Sequence, residues 1–148
     1  MTRMMKPRIS VAIVDDEESV RTSLRRLCLA LGLDATAFAS GPEFIESLDA
    51  GSASPDCLLL DAHMPDMTGL EVQQSLTARG KRFPVLVYTA DDAPEAQARY
   101  LAAGAADYLR KPLGSDELFA AVARAVSSTD RTSPGLAPIA PLVVETSL

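Results

Sequence analysis

Five side chains able to handle a phosphoryl group beside a metal ion stand at or just past the ends of short apolar runs. Asp15 and Asp16 follow Val11-Ala-Ile-Val14, Asp61 follows Leu58-Leu-Leu60, Thr89 follows Val85-Leu-Val-Tyr88, and Lys111 comes just after Tyr108-Leu109. Carboxylates are hard oxygen donors of the kind Mg2+ prefers. A hydroxyl and a compact ammonium are donors suited to phosphate oxygens. In open α/β sheets the ligand crevice lies beyond the carboxyl ends of parallel strands, so residues distant in sequence can meet there. Each feature alone has a plainer explanation. An acidic pair ahead of a helix stabilises its N-terminus in any protein, Thr89 is ordinary β-branched strand filler, and a lysine ending a strand is commonly solvated. Three carboxylates converging at one crevice, however, repel and raise one another's pKa unless something positive balances them. On that argument Asp16→Asn is expected to stabilise the metal-free fold.

The elements that must position these residues follow from apolar runs alternating with helical patterns over residues 9 to 127, the pattern of βα units in a parallel sheet. A strand at 9–14 precedes a helix at 17–32, where Val20, Leu24, Leu27, Cys28 and Leu31 share a face, Arg21, Arg25 and Arg26 face water, and Gly32 is the stop. A second strand, 34–38, leads to Ser40-Gly-Pro-Glu43, a capping box with Pro42 in the first turn of a helix reaching about Ala50. Cys57-Leu-Leu-Leu60 is the continuous apolar run of a central strand covered on both faces. Thr68-Gly-Leu-Glu71 is a second capping box, opening a helix to about Arg79. A strand at 83–88, a helix from Asp91 or Asp92 with Pro94 to near Gly104, a short strand at Tyr108-Leu109 and a helix at 115–127 complete five units.

The whole has 148 residues, 47% hydrophobic and 23% charged, which fits one domain. No apolar run approaches the roughly 20 residues that span a bilayer, and the basic start is not followed by a signal-peptide core. A soluble, cytoplasmic protein is the expectation, with no membrane insertion. A net charge of −6 argues against direct binding of nucleic acid, which needs clustered surplus Lys and Arg. Cys28 and Cys57 lack ligand spacing and read as small buried apolar residues.

The runs Val14-Asp15-Asp16-Glu17, Leu60-Asp61-Ala-His-Met64-Pro65-Asp-Met-Thr-Gly69, Tyr88-Thr89-Ala90 and Lys111-Pro112, in this order, resemble the receiver domain of two-component response regulators. The stretch from Met64 to Gly69 is most similar to receivers of the nitrogen-fixation regulator type. The resemblance implies a flavodoxin-like, doubly wound, five-stranded parallel sheet in the order 2-1-3-4-5. It implies that Asp61 accepts a phosphoryl group from a histidine kinase or a histidine phosphotransfer protein. Mg2+ would be held by Asp16, Asp61 and the backbone carbonyl of His63, with Asp15 acting through water. Lys111 would pair with Asp61, a cis bond before Pro112 aiming it inward. Thr89 and Tyr108 would form the switch, and the fourth helix, fifth strand and fifth helix the face that meets a downstream target or a second copy. The His63 side chain reads as a solvated loop residue, although in this family it and Asp91 bear on water access to the phosphoryl group.

On this reading residues 1–8 are an N-terminal extension, 9–127 the receiver and 128–148 a Pro/Ser/Thr-rich tail without an output domain, so the chain is expected to stand alone. It would be a signalling protein with self-catalysed phosphotransfer and dephosphorylation only, not a metabolic enzyme. Two other classes compete. One is a pseudo-receiver, an interaction module independent of phosphate. The other is a true phosphatase or nucleotide enzyme on the same architecture; it would want an acid two residues after Asp61, where His63 stands, or a glycine-rich phosphate loop, which is lacking.

Overall fold

The computed structural model describes residues 8–64, 67–90 and 94–131, with side chains described as far as Ser127. Five strands, β1 (Ser10–Val14), β2 (Asp34–Phe38), β3 (Cys57–Asp61), β4 (Val85–Thr89) and β5 (Asp107–Arg110), alternate with five helices. These are α1 (Glu18–Ala30), α2 (Gly41–Asp49), α3 (Gly69–Ala78), α4 (Pro94–Ala102) and α5 (Ser115–Arg131). The strands form one parallel sheet in the order β2-β1-β3-β4-β5. Each strand-to-strand connection carries a helix across a face, which is what parallel pairing requires.

Period-two alternation divides the core into two halves. Val11, Ile13, Cys57, Leu59, Leu86 and Tyr88 pack beneath α1 and α5, whose Leu24, Cys28, Leu118 and Val122 cover them. Ala12, Val14, Leu58, Leu60, Val85 and Val87 pack on the other face beneath α2, α3 and α4, with Phe44, Val72 and Tyr100 as the largest covering groups. Leu58, Leu59 and Leu60 have no exposed surface, as the unbroken apolar run of β3 predicts.

Local chemistry explains the helix ends. Ser40 accepts from the Glu43 backbone N–H at 3.2 Å, and Thr68 and Glu71 form a complete capping box. Gly32 ends the α1 turn at φ +85°, a conformation that a Cβ disfavours. The expected N-cap at Asp91 or Asp92 lies outside the described residues. β4 begins at Val85, two residues later than expected, because Pro84 has no N–H for the ladder and contributes only its carbonyl, to Leu58. The last helix continues four residues past its expected end at 127, to Arg131. Ser127 to Arg131 contains neither Pro nor Gly, so the weak helix formers there slow propagation without stopping it. Both cysteines are buried and free, and burial pushes their thiols up, to about 11 for Cys28 and about 12 for Cys57. That fits inert packing groups.

Candidate functional site

Strand register brings the distant residues level. Val14 pairs with Leu60 and Asp61 pairs with Tyr88, so the chain leaves the sheet at Asp15 and Asp61 side by side. Thr89 pairs with Arg110, and the Lys111 N–H donates to the Thr89 carbonyl at 2.9 Å, which sets the lysine one step beyond β5. The peptide bond from Lys111 to Pro112 is cis.

Asp15 is fully buried, and both its oxygens are engaged. Oδ1 accepts from the Glu17 backbone N–H at 2.8 Å; Oδ2 accepts from the Tyr88 hydroxyl at 2.7 Å and from Lys111 Nζ at 3.4 Å. Asp15 thus braces the turn that leads into α1, whose N-cap residue is Glu17 with no side-chain cap bond, and stands in the crevice as well. Lys111 Nζ also lies 3.3 Å from Asp61 Oδ1 and 4.9 Å from the centre of the Tyr88 ring. One ammonium thus serves two carboxylates at distances longer than a tight charge-assisted bond. Burial works against that ammonium, but the charges of Asp61 and Asp15 and hydrogen bonds to both outweigh it and raise the Lys111 pKa.

Asp61 is 3% exposed. Burial first, and the charge of Asp15 second, push its carboxyl up to about 6, against the downward pull of Lys111 and of the His63 backbone N–H. Asp16 completes the cluster: Asp15, Asp16 and Asp61 each present an oxygen within 4.8 Å of the others. These all-oxygen donors fit a hard divalent cation. Asp16 is exposed, so water screens its charge. The expected relief of strain by Asp16→Asn is accordingly transferred to Asp61.

His63 is exposed, as its plainer reading had it. Thr89 is fully buried at the end of β4, on the face that strand alternation shares with Val85 and Val87. Tyr108, half-buried beside that half of the core, has its ring 6.0 Å from that of Tyr100. A cavity of about 530 Å3 opens next to the lysine, between α1 and the turn after β5, lined by Ser19, Ser23, Leu24, Tyr88, Lys111 and Pro112 among others.

Two participants escaped the sequence reading. Tyr88 enters there only as the last residue of an apolar run, with no role of its own, yet it is the buried donor to Asp15. Arg21, expected to face water, is half-buried and donates from Nη1 to the Asp15 carbonyl at 2.9 Å. An isolated Tyr closing an apolar strand beside two acidic strand ends was the available signal.

Residues 11–123 match the family model described as the response regulator receiver domain. The chain is 40% identical over 117 residues to the DNA-binding transcriptional regulator NtrC of Escherichia coli strain K12, covering 79% of this chain and 24% of that protein. It is 37% identical over 134 residues to the response regulator MprA of Mycobacterium sp. strain KMS, covering 90% of this chain and 56% of that one. The alignments thus span about a quarter of the first relative and little more than half of the second. Among solved structures, the crystal structure of FixJ-N superimposes with a TM-score of 0.75 at 30% identity, covering 82% of this chain and 96% of that one. A response regulator receiver protein from Burkholderia phymatum does so with a TM-score of 0.73 at 39% identity, over 81% and 96%. The likeness to receivers of the nitrogen-fixation regulator type expected from Met64 to Gly69 is met by a receiver match with an NtrC-like flavour, shared with MprA. By the family match and these likenesses together, the chain belongs to the response regulator receiver domain family.

Proposed function

We propose that the crevice is a phosphoacceptor site and that Asp61 receives a phosphoryl group from a phosphohistidine of a histidine kinase or histidine phosphotransfer protein. An Asp61 carboxylate oxygen forms the new O–P bond, the donor's P–N bond breaks, and the departing imidazole takes up a proton. The observation that carries this reading is the Lys111 ammonium shared between Asp15 and Asp61 at 3.4 and 3.3 Å. Such a group balances two carboxylates beforehand and is already within reach of a phosphoryl oxygen afterwards.

Mg2+ would be held by Asp16, Asp61 and the His63 backbone carbonyl. Asp15, whose oxygens are occupied by Glu17, Tyr88 and Lys111, would act through water. When bound, the ion supplies the positive charge that offsets repulsion between carboxylate and phosphoryl oxygens. Thr89 donates its hydroxyl to the new phosphoryl group, and Tyr108 turns inward as the hydroxyl leaves its resting place. That pair converts a local gain of roughly two negative charges into a changed α4–β5–α5 face. The face would meet a downstream protein target, or a second copy of the chain, whether or not further domains accompany it. Phosphotransfer and dephosphorylation are self-catalysed, and the setting is cytoplasmic. Among the described residues no helix is long and apolar enough to cross a membrane.

Incubation with a small-molecule phosphoryl donor and Mg2+, read by intact mass, tests the proposal. One adduct is expected in the wild type and none in Asp61→Asn. No adduct in the wild type, or one that persists in the variant, would overturn this reading.

A further inference from the structure

A second set of buried polar atoms lies on the opposite face of the sheet, and the phosphoacceptor reading does not use it. Tyr100, on α4 and 5% exposed, donates its hydroxyl to the carbonyl of Ala62 at 3.1 Å. Ala62 directly follows the acceptor. The Tyr100 ring also lies 6.0 Å from the Tyr108 ring, with 33° between their planes. One side chain therefore touches both the peptide beside Asp61 and the aromatic half of the proposed switch.

Gly69 makes that reach available. A Cβ there would stand 3.0 Å from the Asp61 carbonyl oxygen, 3.2 Å from the Ala62 Cα and 3.2 Å from Tyr100 Cε1. The Tyr100 carbonyl accepts from the Gln73 side-chain amide of α3 at 3.4 Å and from the Ala105 N–H at 3.1 Å. Gln73 is 3% exposed, and its Oε1 has no hydrogen-bond partner among the described residues. Two buried hydrogen bonds thus hold Tyr100 in this arrangement, one from its hydroxyl to Ala62 and one to its carbonyl from Gln73 of α3. The net contribution of one hydrogen bond, roughly threefold to tenfold in an equilibrium, is of the size that biases a switching element without locking it.

We propose that Tyr100 is a positioning residue. Its hydroxyl ties α4 to the turn after Asp61 while the site is free of phosphate, and rearrangement of the α4–β5–α5 face breaks that tie. The inference rests on the phosphoacceptor reading and adds to it the hydrogen bond that holds the resting state. Tyr108 cannot turn inward without displacing the Tyr100 ring it rests against, and that ring cannot move far without withdrawing its hydroxyl from Ala62.

Tyr100→Phe removes only the hydroxyl. The test is a titration with beryllofluoride, a phosphoryl mimic, at saturating Mg2+, paired with hydrogen exchange of the α4 amides. If the hydroxyl favours the resting state alone, beryllofluoride should bind the variant roughly threefold to tenfold more tightly, and Mg2+ affinity without the mimic should not change. Exchange in α4 should quicken in the free variant, and also in the wild type when beryllofluoride is added; this second measurement needs no variant to fold. Unchanged or weaker beryllofluoride binding by Tyr100→Phe would overturn the inference, as would α4 exchange in the wild type that ignores the mimic. The phosphoacceptor reading survives either result, because it fails on other grounds, namely if the wild type takes up no phosphoryl group or mimic or if Asp61→Asn still takes one up, and then the inference falls with it.

Discussion

Asp61 bears the electrostatic strain of the crevice, because burial and the nearby charge of Asp15 oppose its ionisation and Lys111 corrects them only in part. Its folded value of about 6 stands above the ordinary 3.8, so the folded protein holds this proton more tightly than the unfolded chain does. The resulting stability is fully present below pH 3.8 and is lost as pH rises through about 6. Metal-free protein should therefore lose about 2–3 kcal/mol over that interval from this group, since one pKa unit is worth about 1.4 kcal/mol. Urea denaturation across the interval checks it, and the slope should flatten in Asp61→Asn. A second expectation concerns Tyr88, 1% exposed, whose hydroxyl is 2.7 Å from Asp15 Oδ2. Tyr88→Phe leaves a buried carboxylate oxygen short of one donor and should destabilise by about 2 kcal/mol at pH 7 in the same assay. Asp15, Asp61 and Lys111 were legible because a charge ending an apolar strand has few places to go. Tyr88 was not, because a tyrosine in a strand packs well whether or not its hydroxyl has a partner, and this partner is 73 residues away.

At the level of elements, local signals sufficed wherever the partner was local. The box at Thr68 and Glu71 opens α3 at the expected residue, and the glycine behind it is where local reasoning ends. Nothing adjacent in sequence explains why position 69 must lack a side chain; the close approach of Asp61, Ala62 and Tyr100 does. Gly69→Ala should accordingly destabilise by about 1–3 kcal/mol through overpacking and slow phosphorylation of Asp61, whose backbone it presses. Thr68→Ala should lose a comparable amount, about 1 kcal/mol, through the cap alone, with the phosphorylation rate unchanged. Thermal unfolding together with a time course of adduct formation separates the two. The extension of α5 to Arg131 has the opposite lesson. A composition rich in Ser and Thr suggested an early stop, but only Pro or Gly imposes one locally.

For the whole molecule, an ion that binds the folded state alone must raise its stability, by about 2.7 kcal/mol at a hundred times its dissociation constant. Added Mg2+ should raise Tm more at pH 7 than at pH 5, because protons compete for Asp61 near its value of about 6. Asp16→Asn should abolish most of the increment while leaving the metal-free Tm close to wild type, since Asp16 is exposed; calorimetry with and without the ion checks both. The alternation of apolar runs with helical stripes by itself determined five βα units, one parallel sheet and the strand ends at which charges gather. These depend on periodicity and on capping within a few residues, which any reader of the chain can follow. Tertiary structure alone decided that Lys111 is shared by two carboxylates, that Tyr88 supplies the buried donor to Asp15, and that Tyr100 bridges α4 to the peptide after Asp61. Each of these is a contact across a sheet or between layers, set by register and packing to fractions of a hydrogen-bond length, and residue order along the chain carries no measure of that distance.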